Sequence, residues 1–152
     1  YDGVLRTYKM LRVMESVRAT EGNDGVFAMY WELGARIHHD KDREFDIADA
    51  LEAAGLPATH AEAFEDERFD TEIRSRHDAG LALTGDDVGT PIIAMDTPGG
   101  RQGIFGPVIT AVPNSEDSLR LWDGMVAMMS VDGFWELKRT RTRHPEFPAR
   151  PE

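Results

Sequence analysis

Cysteine is missing from all 152 residues, which removes disulfides, thiolate metal ligands and any cysteine nucleophile supplied by these residues. Long apolar runs are missing too. No stretch approaches the roughly 18 apolar residues of a spanning helix, and no charged-then-apolar segment opens the chain in the manner of a signal peptide. A membrane partner is therefore not expected, and the cytoplasm is the expected compartment. Basic residues are scarce, 17 against 28 acidic for a net charge of -11, and that balance opposes affinity for nucleic acid or an anionic membrane surface. No serine sits in a Gly-x-Ser-x-Gly elbow, so a hydrolase triad has no anchor. An initiating methionine is absent as well: the chain starts at Tyr1 inside a helical pattern, and the expectation is a fragment or processed piece.

What is present reads as folded protein. A hydrophobic fraction of 41% and a charged fraction of 30% suit one globular domain with a real core. Val4, Tyr8, Leu11, Met14 and Val17 recur every three or four residues and predict a helix from about 2 to 21. Gly22-Asn23-Asp24-Gly25 reads as a turn, with Asp24 as N-cap of a second helix carrying Val26, Tyr30, Leu33 and Ile37 on one face and running to His38-His39. Asp46 caps a short helix that ends at Gly55. Thr59-His60-Ala61-Glu62 matches the capping box of a longer helix bearing Phe69, Ile73 and His77 and ending near Gly85. The first 85 residues are thus helix after helix.

The pattern changes at Val88. Gly89-Thr90-Pro91 leads into the β-branched run Ile92-Ile93. Proline lacks an N–H and pushes its predecessor toward extended geometry, so it belongs at the start of a strand. Thr90–Pro91 is also a bond where a cis peptide is affordable, although trans is the commoner state. The expectation is a strand over 91–95, a turn over 96–102, a partner strand over 103–110, and a last helix that begins at Pro113-Asn114-Ser115, carries Leu119, Trp122, Val126 and Met129, and closes at Gly133. The tail holds Lys138, Arg139, Arg141 and Arg143, then Pro145, Pro148 and Pro151. Two strands do not make a stable sheet alone, so an incomplete sheet is expected, and its open edge would invite pairing into a homodimer.

Three clusters could carry chemistry. Gly99-Gly100-Arg101-Gln102-Gly103 resembles a phosphate loop, but a strand follows it where a helix N-terminus is needed, and a hairpin turn explains it better. His38 and Asp42 stand four residues apart, a spacing metal ligands use; a histidine favourably placed at a helix C-terminus, beside a solvated acidic link, explains them more simply, and no metal site is expected. The basic tail reads as a solvated segment paired with an acidic body. His60 is expected at the surface and His77 on a helix face.

Taken together, Gly34-Ala35-Arg36-Ile37-His38, Asp86-Asp87-Val88-Gly89-Thr90-Pro91, Phe105-Gly106-Pro107-Val108, Leu121-Trp122-Asp123 and Phe134 to Thr142, which includes Glu-Leu-Lys-Arg-Thr-Arg, resemble the DsbA-like thioredoxin-fold oxidoreductases, in particular their mycothiol-dependent nitroreductase branch. The resemblance implies an α/β, thioredoxin-like fold with a large helical insertion. Residues 1–86 would be that helical lid, and 87–152 the C-terminal half of the thioredoxin-like domain with its tail. By the resemblance, the N-terminal strand–helix–strand unit, home of the family's Cys-Pro-x-Cys motif, is expected to lie outside these residues.

By the same resemblance, Thr90 and Pro91 are catalytic, with Pro91 the family's cis-proline facing the redox centre, and His38 and Phe105 contact substrate. Mycothiol is the implied reducing co-substrate, with no tightly bound cofactor. The implied partners are this low-molecular-weight thiol and a small-molecule or disulfide substrate. The residues as given lack the nucleophile and are expected to be inactive by themselves. The alternative is a redox-inactive thioredoxin-fold binding module.

Overall fold

The computed structural model describes residues 2–147 and residue 150; Pro148 and Pro151 of the proline-rich tail lie outside them. Two compact units form, one from residues 1–76 with 147–152 and one from residues 77–146. Among the described residues no helix is long and apolar enough to cross a membrane.

The first unit is helical. Helix α1 (Asp2–Gly34) is interrupted at a single residue, Gly22, whose φ of 67° and ψ of -159° leave helical space; such a backbone favours glycine. The interruption falls where the glycine-rich cluster predicts it, but Asp24 is not a cap. It lies within the helix, and Asn23 Oδ1 instead accepts a hydrogen bond from the Arg18 guanidinium. Three residues on, Gly25 sits against the preceding turn so closely that a Cβ there would stand 2.5 Å from Glu21 Cβ and 2.9 Å from Val17 Cγ1.

The buried face of α1 matches the expected stripe in part: Val17 and Leu33 are buried, and Met14, Val26 and Ile37 pack against the core. Met10, Val13, Val17, Met29 and Leu33 are buried, while Val4 is 74% and Tyr30 67% exposed. Apolar residues occur on more than one side of this helix, so spacing alone places Val4, Leu11 and Tyr30 on the core side when they are exposed. The core closes when Phe45, Ile47, Ala50 and Leu51 join these residues. A π-helical turn, Ala35–Asp40, follows α1 and ends at Lys41, whose φ of 61° is left-handed.

Helix α2 (Ile47–Ala53) is capped as expected: Asp46 accepts from the N–H groups of Ala48 and Asp49, and Gly55 follows with φ 73°. The Thr59 capping box does not form. Residues Ala58–Glu65 wind as a 3-10 helix with Pro57 in the cap position and no side-chain cap bond, and a second short 3-10 turn, Glu67–Phe69, is capped by Asp66. Helix α3 (Asp70–Thr84) comes after them. Within this unit Arg12, 5% exposed, donates to both carboxylate oxygens of Asp70 at 2.6 and 3.0 Å.

The second unit contains the end of α3, a β-hairpin and helix α4. Strand β1 (Ile92–Thr97) pairs antiparallel with β2 (Gly100–Phe105), in a register from Ile92↔Phe105 to Thr97↔Gly100. The turn is therefore the two residues Pro98 and Gly99, tighter than the 96–102 expected. Thr97 Oγ1 accepts from Gly99 N–H and donates to Gly100 O. β2 stops five residues before the expected Thr110, at Gly106-Pro107, where proline cannot extend the ladder.

Helix α3 lies directly on the hairpin: a Cβ at Gly103 would come 2.6 Å from Leu83 Cβ, and one at Gly80 would touch Ile92. Helix α4 (Ser115–Met129) is capped by Asn114, which accepts from Asp117 N–H. Its buried residues are Met125 and Met129, whereas Leu119 and Trp122 of the expected stripe are exposed. Gly133, with φ 81°, lies beyond the helix end.

Candidate functional site

Three of the four expected site residues meet at one end of the hairpin. The Thr90–Pro91 peptide bond is cis, as is Gly106–Pro107. These two steps face each other across the ladder, because Pro91 O accepts from Gly106 N–H at 2.8 Å while Ile92 pairs with Phe105. Local sequence explains the corner: each proline ends the regular ladder, and Gly106, at φ 104°, supplies a backbone other residues rarely adopt.

Thr90 and Pro91 are exposed, and Phe105 is 41% exposed. The Phe105 ring lies over Gly89, where an added Cβ would stand 3.7 Å from it. A hydroxyl, a proline ring and an aromatic edge thus share one solvent-facing rim. Nearby in the same unit is an apolar hollow of about 170 Å³, bordered by Ile93, Pro107, Ile109, Trp122 and Met125 among others. Its lining carries no charge, so what it offers is apolar surface.

His38 belongs to the other unit. The π-helical turn presents it at the surface, and the Lys41 ammonium donates to its carbonyl at 2.6 Å. Its imidazole is not bare. The Phe147 ring lies parallel to it, centroids 4.5 Å apart and planes 11° apart, and stands edge-on to His39 at 6.1 Å and 86°. The Lys41 ammonium sits 5.4 Å from the centre of the same phenyl ring. Arg150 then bonds to Glu32 and, at 3.0 Å, to Asp40.

The surroundings of His38 favour its neutral form. Desolvation is the largest cause lowering its pKa below the ordinary histidine value, and the positive charges of Lys41, His39 and Arg43 push the same way. At neutral pH the ring is a neutral imidazole, able to stack or accept a hydrogen bond without shedding a charge's hydration.

Two features were not legible in the sequence. His60, expected at the surface, is buried; its Nδ1 lies 2.8 Å from Ser16 Oγ and its Nε2 3.3 Å from Thr20 Oγ1. The ring is a satisfied core histidine whose partners lie 44 and 40 residues away, so nothing near it in sequence marks its burial. Phe147 and Arg150 were missed for the same reason; the one signal is a lone aromatic between Pro145 and Pro148. The basic residues Lys138, Arg139, Arg141 and Arg143 are exposed in irregular chain. Among the described residues no group of three or more His, Cys, Asp or Glu side chains could hold a metal ion.

The comparison with protein families agrees with the resemblance at the level of the branch. A family described as Rv2466c-like, mycothiol-dependent nitroreductase Rv2466c, matches residues 2–139. The match spans both units, including the helical residues around His38 and the Thr90–Phe105 rim, and the chain belongs to this family of mycothiol-dependent nitroreductases.

Proposed function

We propose that these residues form the substrate-facing part of a cytoplasmic, mycothiol-dependent reductase of small molecules, built on a thioredoxin-like, DsbA-like plan with residues 1–86 as helical lid. The observation that carries this reading is the family match over residues 2–139. The chemistry is a two-electron transfer: two mycothiol thiols are oxidised to one disulfide, while a nitro group becomes a nitroso group and releases one water. A helical unit followed by a hairpin opening on Thr90–Pro91 agrees with the thioredoxin-like plan.

Each expected site residue has a role in this reading. The exposed Thr90 hydroxyl and the Pro91 ring shape the thiol side of the site. Phe105 offers an apolar edge beside them, and His38 a neutral, stackable ring for the reducible substrate. The 152 residues contain no cysteine, so the attacking sulfur is that of mycothiol or of a cysteine outside them. By themselves they are inactive as a thiol nucleophile.

The test is steady-state reduction of nitrobenzene by the natural gene product with mycothiol as varied substrate. Thr90→Val should lower kcat/KM for mycothiol with little change in KM for nitrobenzene, and His38→Ala the reverse. Equal, small effects from both would remove these roles. The same cysteine-free composition favours a second reading, a redox-inactive binding module, which predicts no mycothiol consumption at all.

A further inference from the structure

The Phe147 ring is held by three neighbours from the π-helical turn and its cap. His38 lies flat against it at 4.5 Å, His39 meets it edge-on, and Lys41 places a cation 5.4 Å from its centre. These are three separate ways of holding an aromatic ring, two through ring contacts and one through charge attracted to the π face. Yet Phe147 remains 46% exposed, so burial does little to fix it there. What fixes the segment is polar: Arg150 bonds to Glu32, which is buried, and to Asp40.

We propose that the His38–His39–Lys41 cradle is a receptor for a flat aromatic ring, and that Phe147, fastened by Arg150, occupies it as a built-in plug that an aromatic ligand displaces. The proposal deepens the reductase reading and rests on it for the ligand's nitro group, though not for its ring. The neutral imidazole of His38 provides a stacking surface that loses no charge hydration when covered. The Lys41 ammonium, already beside the phenyl ring, becomes a donor toward an electron-rich substituent such as a nitro oxygen. Displacing the plug breaks no covalent bond; it exchanges one ring for another and competes with the pairings of Arg150 to buried Glu32 and half-exposed Asp40.

A binding measurement without mycothiol tests this separately from catalysis. Nitrobenzene is titrated into the full natural protein while the His38 imidazole protons are followed by NMR. The proposal expects saturable shifts at His38 with nitrobenzene and none with nitrocyclohexane, whose ring is puckered. Phe147→Ala should tighten nitrobenzene binding by about two- to tenfold, the range an aromatic pair accounts for, and Arg150→Ala should tighten it in the same direction by less. Unchanged or weaker binding in Phe147→Ala, or absence of any nitrobenzene effect on His38, overturns the plug. Because no thiol is present, these outcomes stand apart from a failure to consume mycothiol, which would sink the reductase reading and leave the ring receptor intact.

Discussion

The imidazole of His38 and the phenyl ring of Phe147 lie nearly parallel, 4.5 Å between centroids, although 109 positions separate them in the chain. Phe147 is one of the groups covering His38, and desolvation is the largest cause lowering the His38 pKa. Removing the ring in Phe147→Ala should let the His38 pKa climb back toward its ordinary value, read from the pH dependence of its Hε1 resonance. A titration midpoint unchanged in the variant would assign the shift to the remaining cover and to the charges of Lys41, His39 and Arg43.

The sign of the linked stability follows from the same direction. A histidine with a lowered folded pKa binds fewer protons folded than unfolded. Its contribution is complete above the unfolded value of 6.5 and is lost as pH falls through the folded one. Urea midpoints measured from pH 8 to pH 5 should therefore fall less steeply for His38→Gln than for the unchanged protein.

Gly25 and Gly124 both lie in helices and should respond to alanine with opposite signs. An added Cβ meets Glu21 and Val17 at Gly25 but nothing within 4 Å at Gly124. Gly25→Ala should destabilise by about 1–3 kcal/mol through overpacking, and Gly124→Ala should stabilise by about 0.5–1 kcal/mol through helix propensity. Urea unfolding of the two variants decides it; stabilisation by Gly25→Ala would mean the kink closes up without that contact.

Arg12–Asp70 and Arg68–Asp66 are both ion pairs, but they should differ in acid. The hydrogen bond from Arg12 leads the causes lowering the Asp70 pKa, and 58 residues separate the pair, so it is absent from an unfolded chain. Asp66 and Arg68 are two residues apart and can meet in either state. The Asp70 contribution is present above the ordinary value of 3.8 and disappears as pH falls through the lowered folded one. Arg12→Ala should flatten the acid limb of the stability curve, while Arg68→Ala leaves it close to that of the unchanged protein.

These residues also mark where reading the sequence succeeds. Asp46, Gly55, Asn114 and the Gly22 interruption are local: a side chain or a glycine acts on backbone a few residues away, so the segment alone specifies them. The buried face of α1 is not local, because apolar residues such as Val4, Tyr30, Phe27 and Trp31 point away from the core and only the partner elements choose between faces. Thr59 fails as a cap although its motif is complete, because Pro57 leads into a 3-10 helix whose His60 is held by Ser16 and Thr20 of α1. The strand start at Pro91 was legible from its proline, whereas Thr90, Pro91 and Phe105 as a group came from the family resemblance. The cover over His38 was not legible, since Phe147 and Arg150 lie over a hundred residues from the turn they touch.

Electron transfer from mycothiol to a nitro group leaves a stoichiometry that can be counted. The full natural protein is incubated with excess mycothiol and limiting nitrobenzene, and both mycothiol disulfide and nitrosobenzene are quantified at early times. One disulfide per nitroso product is expected, both formed at rates proportional to enzyme. Nitrobenzene that binds at His38 with no disulfide formed above the uncatalysed rate would contradict it, leaving a binding module in place of a reductase.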